Sequence, residues 1–171
     1  MSETTADRIQ FLRRLRAVKA YTAEPVSDDA INDILEVGRW SGSGSNRQPW
    51  EVIVVRNADD RQKLNQWGAN PAPTAAVVLL IVSQSDSSAF DEGRLAERLN
   101  LAAAAHGLGS TVAMLKGEGI AAARAYFGIP EGRRAQTVVT VGHTDLGVRQ
   151  ARPANPQARK PIEQFAHWVR W

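Results

Sequence analysis

The chain has 171 residues, a hydrophobic fraction of 43%, a charged fraction of 23% and a net charge of only +3. That length supports one core of useful size, and the longest apolar run, 75–82, is too short to cross a bilayer. With no cysteine there is no disulfide framework, thiolate metal site or cysteine nucleophile, so redox chemistry has to come from a bound cofactor.

From the N-terminus, residues 1–7 are polar and carry acids, unlike the basic start and apolar stretch of a secretory signal; a cytoplasmic location is expected. Ile9, Leu12 and Leu15 recur at helical spacing and predict an amphipathic first helix, on which Arg13 and Arg16 share a face and Lys19 lies one turn further. Residues 21–26 break that pattern. Ser27 followed by Asp28 and Asp29 reads as a helix start, with Ile31, Ile34 and Leu35 turned to the core.

Residues 51–56 form a β-branched run and read as a strand, followed by a short helix over 59–67 and a proline loop over 70–73. The unbroken apolar run 75–83 predicts a central strand, because nothing polar alternates along it. A polar connection over 85–89 leads to an alanine-rich helix over 91–106, with Leu95, Leu99 and Ala102 inward and Gly107 as its stop. A strand over 110–115, a helix over 120–127 stopped by Gly128, and a strand over 135–143 follow. Residues 146–160 are rich in Pro, Arg and Gln without periodicity, an arm over a surface, and Pro161 opens a last short helix. The expectation is one mixed α and β domain, 1–171, with four strands, five or six helices and 146–171 as a C-terminal arm.

The basic residues gather at the two ends. Five (Arg8, Arg13, Arg14, Arg16, Lys19) fall within 8–19 with no acid among them, and five (Arg149, Arg152, Arg159, Lys160, Arg170) fall within 146–171 against Glu163 alone. If the ends meet, they suit a phosphate or another small anion; a solvated helix face and a basic tail are the other reading. His106, His143 and His167 are scattered without ligand spacing, so no metal site is expected. Gly42-x-Gly44 and Gly107-x-Gly109 both lack the third glycine of a dinucleotide-binding turn, and Ser43 lacks the nucleophile-elbow spacing. No recognised nucleic-acid motif appears, and the tryptophans fit core or interface packing better than base stacking.

The most informative stretch is Ser41-Gly42-Ser43-Gly44-Ser45-Asn46-Arg47-Gln48-Pro49-Trp50, a small-residue polar loop between a helix and a strand. Its glycines permit close approach of a flat ligand to the backbone, and its hydroxyl and amide groups surround the opening. Taken alone, it fits an ordinary turn equally well. Together with Ala105-His106-Gly107-Leu108-Gly109-Ser110, and with Arg159-Lys160-Pro161-Ile162-Glu163 followed by His167-Trp168, it resembles the nitroreductase family of FMN-dependent oxidoreductases.

That resemblance implies an α+β fold, a mostly antiparallel central sheet flanked by helices, and an intertwined homodimer with a flavin at each interface. Arg16, Ala17 and Lys19 would fall in the family's basic N-terminal motif and Arg159 in its C-terminal one, clamping the FMN phosphate or lying near the flavin's N1–O2 edge. Ser43, Ser45, Asn46 and Gln48 would hydrogen-bond the flavin or its ribityl chain, often from the partner subunit. Val112, Ala113, Met114 and Leu115 would lie along the ring, with only main-chain groups to donate. Hydride would pass from NADPH or NADH through flavin N5 to a nitroaromatic, quinone or activated alkene in a ping-pong cycle, with no catalytic side chain. A flavin oxidase or dehydrogenase of a specialised pathway, or a flavin-binding protein with little turnover, is the alternative. The partners implied are small molecules and a second copy, with neither nucleic acid nor membrane. Three departures accompany the likeness: Leu15-Arg16-Ala17-Val18-Lys19 lacks one arginine and the serine of the usual Arg-Arg-Ser-x-Arg, Gly42 replaces a proline, and the shorter length reduces any lid over 84–92.

Overall fold

The computed structural model describes residues 4–151 and 159–170. One antiparallel four-stranded sheet has the order β1-β2-β4-β3, made by β1 (Trp50–Val55), β2 (Val77–Gln84), β3 (Gly109–Met114) and β4 (Arg133–Gly142). The helices are α1 (Thr5–Arg14), α2 (Asp28–Arg39), α3 (Ala58–Gln66), α4 (Ala89–Ala105), α5 (Glu118–Tyr126), α6 (Leu146–Ala151) and α7 (Ile162–Phe165).

The sheet is covered on both faces. Val77, Leu79 and Ile81 of β2 pack with Val139 and Val141 of β4 under α2 and α4, while Val78, Leu80 and Val82 pack with Val138 and Ala135 against residues of α3 and α5. This explains the unbroken apolar run: a strand buried on both faces has no polar side to present. Each fully buried aliphatic side chain contributes about 1.5–3 kcal/mol of transfer free energy. Helices α2 and α4 approach closely at Gly38, where an added Cβ would lie 2.6 Å from Leu99 Cδ2.

Local signals place the helix starts. The Ser27 hydroxyl accepts the Ala30 N–H to cap α2, and Ser88 caps α4 through Phe90 N–H. Thr4 and Asp7 form a capping box at α1; the Thr4 hydroxyl, donating at 2.6 Å, holds the Asp7 carboxyl below its ordinary value.

The structure departs from the sequence reading in three places. Helix α1 ends at Arg14 because Leu15 turns to extended backbone (φ −56, ψ 131), so Arg16 and Lys19 do not continue a face with Arg13. Ile9 and Leu12 are each 50% exposed, and α1 buries no side chain. Within the expected aperiodic arm, Leu146–Ala151 is helical, started by the Asp145 carboxylate accepting Val148 N–H at 3.1 Å. Arg152, Trp171 and the stretch 152–158 lie outside the described residues.

A buried charge ties the layers together. Glu92, in the first turn of α4, is 6% exposed and accepts Ser83 Oγ at 2.6 Å, Arg134 Nη2 at 2.7 Å and the Thr137 hydroxyl. A one-residue register shift between Leu80 and Val82 in the β2–β4 pairing turns Arg134 onto the same face as Thr137, which simple alternation would forbid. Burial alone would push the Glu92 carboxyl up; the bonds from Ser83, Thr137 and Arg134 outweigh it and leave the group below its ordinary value.

Glu92→Ala is expected to cost about 3–5 kcal/mol in urea unfolding, because it strands the Arg134 guanidinium, and Glu92→Gln clearly less. Since the folded carboxyl titrates below its ordinary value of 4.5, its stabilisation is present above that pH and lost as pH falls below it. The Glu92→Gln variant should lack that part of the acid dependence.

Candidate functional site

The segment between α1 and α2 is stitched to one end of the sheet. Val18 N–H donates to Ser110 C=O at 2.9 Å, Thr22 N–H to His143 C=O at 2.9 Å and Asp145 N–H to Ala20 C=O at 3.0 Å. Tyr21 is the buried pin: its hydroxyl lies 2.7 Å from Val18 C=O and 2.8 Å from Thr140 Oγ1. Burial pushes this phenol up to about 12, although the Thr140 bond pulls the other way. Gly109 makes the approach possible, because a Cβ there would sit 2.5 Å from Thr144 Oγ1 and 2.7 Å from Val18 Cγ1.

This stitching opens a cavity of about 740 Å³ between α1, α4 and β3. Helix α1 presents Asp7, Gln10, Phe11 and Arg14 to it, a spacing of 3, 1 and 3 that marks one helix face. Arg16 and Ala17 form the rim, Glu97, Asn100 and Ala104 of α4 form the opposite wall, and Gly109 to Val112 form the floor. Arg16 donates through Nη1 to Arg13 C=O at 2.7 Å and Leu15 C=O at 2.6 Å, satisfying carbonyls that the end of α1 leaves open. Asn100 Oδ1 is buried with no hydrogen-bond partner, an open acceptor on the residue that forms part of this wall.

Strand β3 is the edge of the sheet on this side. Ser110 C=O bonds outward to Val18, and Leu115 N–H bonds inward to Gln136 C=O at 2.8 Å. By alternation the main-chain groups of Val112 and Met114 point off the open edge, and those of Thr111 and Ala113 bond to β4. Side chains divide as well: Val112 and Met114 are 41% and 47% exposed, whereas Leu115 is fully buried and Ala113 packs with it on the far face.

The glycine-serine loop lies elsewhere on the same chain. Gly44 N–H donates to Asp91 Oδ2 at 3.0 Å and Arg47 to Asp86 Oδ2 at 2.9 Å, tying the loop to the start of α4. Asn100, on the cavity wall, is nine residues further on, about 13 Å along the helix axis. Ser43 Oγ accepts Gln48 N–H at 2.9 Å, and Ser45, Asn46 and Gln48 all take positive φ (50, 53 and 47), a strained conformation for side chains other than glycine. Just before the loop, hydrogen bonds from Arg39 and Trp40 hold the Glu36 carboxyl down to about 2.

Of the residues singled out from the sequence, Arg16, Ala17 and Val112 line the cavity. Ser43, Ser45, Asn46 and Gln48 are held together in the loop but do not reach the cavity within one chain; Gln48 instead borders a smaller hollow of about 280 Å³ with Trp50 and Leu35. Lys19 and Arg159 are exposed and outside the lining. Sequence reasoning passed over Asn100, Gln10 and Asp7. Their spacing along α1 and α4 was readable, but which helix faces meet is a matter of packing.

Three layers, α/β/α, thus carry a large cavity with Arg16 on its rim and the open edge of β3 as its floor. Residues 12–88 match the model of the Nitroreductase family. A protein of Archaeoglobus fulgidus, provisionally named NADH dehydrogenase/NAD(P)H nitroreductase, is 27% identical over 75% of this chain and 80% of its own length. A Staphylococcus epidermidis relative, provisionally named NAD(P)H nitroreductase, is 34% identical over 54% of this chain, which spans only 42% of that relative. A nitroreductase-like protein from Streptococcus mutans shares the fold with a TM-score of 0.80 at 21% identity, over 98% of this chain and all of that one. An FMN-dependent nitroreductase from Clostridium difficile does so at 0.78 and 18%, over 95% and 99%. Residues 12–88 thus resemble the nitroreductase family by sequence, and the fold of the chain is nitroreductase-like. No described helix is long and apolar enough to cross a membrane, and the described residues contain no cluster of three potential metal ligands.

Because the folded Tyr21 phenol titrates above its ordinary value of 10.0, the stability it provides is complete below pH 10 and drains away as pH rises towards about 12. Unfolding free energies from urea titrations across that window should fall by about 1.4 kcal/mol per pH unit in the wild type and show a flatter decline in Tyr21→Phe. Gly109→Ala should cost about 1–3 kcal/mol, by pushing Val18 off the sheet.

Proposed function

We propose that this chain is an FMN-dependent oxidoreductase that passes reducing equivalents from NAD(P)H to a small electron-poor acceptor, a nitroaromatic, quinone or activated alkene, by a ping-pong cycle in a homodimer. The observation that carries the reading is the cavity itself, which sets an open strand edge beneath a rim bearing Arg14 and Arg16. A flat heteroaromatic phosphate needs those two things: donors along one edge and cations at one end. The buried, unpartnered Asn100 Oδ1 adds an acceptor for a ligand N–H. The residues present therefore fit FMN.

When bound, FMN supplies hydride chemistry, taking two electrons and a proton from the nicotinamide and delivering them to the acceptor. The chain's own work is binding and orientation. Arg14 and Arg16 hold the phosphate, with Lys19 and Arg159 as further cations towards the phosphate or the N1–O2 edge. The main-chain N–H groups of Val112 and Met114 face the ring, and Phe11 and Val112 exclude water. Ser43, Ser45, Asn46 and Gln48 close the cavity of a second copy. The apolar residues uncovered on one chain support that assembly: Ile9 and Leu12 of α1, and Phe165 and Trp168 at 76% and 92% exposure near the other end. The names of the relatives agree with the donor and the cofactor: NAD(P)H in the Archaeoglobus protein and FMN in the Clostridium one.

Purified protein should be yellow, and NADPH or NADH should bleach its flavin bands without oxygen. FMN titrated into the stripped protein should bind tenfold or more weakly to Arg14→Ala and Arg16→Ala, the loss of one charge-assisted hydrogen bond in each. Protein that takes up no FMN would sink the proposal; flavin that neither nicotinamide bleaches would point to an oxidase or a flavin carrier.

A further inference from the structure

Helix α4 carries one stripe that joins the loop to the cavity. Phe90, Arg94, Glu97, Asn100 and Ala104 follow at spacings of 4, 3, 3 and 4, and the last three line the cavity. Arg94 stands on that stripe one turn before the lining begins. Its guanidinium lies directly on Gly42: a Cβ built there would meet Nη2 at 2.4 Å, Cζ at 3.0 Å and Nη1 at 3.1 Å. On the other side Arg94 Cζ sits 5.8 Å from the centre of the Phe90 ring, which is 72% exposed.

No carboxylate answers this cation among the described residues. The neighbouring acid one turn back, Asp91, has an Oδ2 that accepts Gly44 N–H, and Glu97 makes no ion pair with Arg94. The loop beneath it holds three strained residues and a buried Ser41 hydroxyl, 4% exposed, with no partner. A guanidinium held in place by a bare main chain and an aromatic ring, with its charge unanswered, is prepared for an anion.

Building on the proposed function, we infer that Arg94, seated on Gly42 and beside Phe90, is the residue by which this site recognises an anionic group on its substrate. The group is a carboxylate or phosphate attached to a planar molecule, and the acceptor or the nicotinamide donor is its source. Gly42 is part of the device, since a side chain there forces the guanidinium to move from its seat.

The test uses FMN-loaded protein and two matched pairs of probes: 4-nitrobenzoate against 4-nitrobenzamide, and NADP⁺ against NAD⁺. Dissociation constants come from perturbation of the flavin spectrum, and kcat/KM is measured for the same acceptors and for NADPH against NADH. The wild type should favour the more negatively charged member of one pair by about tenfold, as expected of a charge-assisted hydrogen bond at a partly exposed position. Arg94→Met should abolish that preference without changing FMN content, and Arg94→Lys should keep part of it. Gly42→Ala retains the arginine but displaces its guanidinium, and should weaken the preference. Loss confined to the acid and amide pair makes the acceptor the source, and loss confined to the nucleotides makes it the donor. Equal preferences in wild type and Arg94→Met, with FMN bound and bleached normally, overturn this inference alone; protein that binds no FMN overturns it together with the reading it rests on.

Discussion

The constraint on which everything else rests is that β2 and β4 are buried on both faces. A central strand with no wet side needs helices above and below it, and the chain supplies α2 and α4 on one face and α3 and α5 on the other. Once those layers are filled, β3 is left at an edge, and nothing in the described chain pairs with its outer side beyond Ser110. The cavity forms there because the layers stop there. The Glu92 network works to the same end, locking the start of α4 to the bulge in β4 so that the far half of the helix is held as a rigid wall.

The site is built by fastening an irregular segment to this frame. Residues 15–22 have no regular structure of their own, and their order comes from main-chain bonds to β3 and β4 and from the Tyr21 hydroxyl. Arg16 and Ala17 are thereby presented at a fixed height above the sheet. The glycine-serine loop is organised in the same manner at the other end of α4, by Asp91 and Ser43, but none of its residues lines its own chain's cavity. In the proposed homodimer, two half-sites on one chain are what a site shared between copies would require.

Much of this could be read in the residues. The run 75–83 betrayed a strand buried on both faces, Ser27 marked the start of α2, and Gly107 marked the end of α4. Each is a local effect: absence of alternation, a capping hydroxyl, a left-handed turn. The basic N-terminal motif, the loop and the turn before β3 were found as a set, and Arg16, Ala17 and Val112 do share a cavity. What escaped was decided by packing. The end of α1 is set by the bonds that residues 18–22 make across the sheet, and no stop residue announces it. Treating residues 112–115 as one ring-facing surface ignored the period of two that sends Ala113 and Leu115 to the opposite core. The bulge that brings Arg134 to Glu92, and the contact of Arg94 with Gly42, join residues far apart in sequence and leave no trace in composition.

The open edge of β3 has a further consequence during the protein's manufacture in the cell. Unpaired main-chain groups are able to accept a strand from any passing chain, and β3 adds the exposed side chains of Val112 and Met114 to that invitation. Under the proposed function, FMN seated at this edge would also be its guardian. Newly made chains are at their most vulnerable to clumping in the interval between folding and loading, and an ample supply of the ligand at synthesis shortens it.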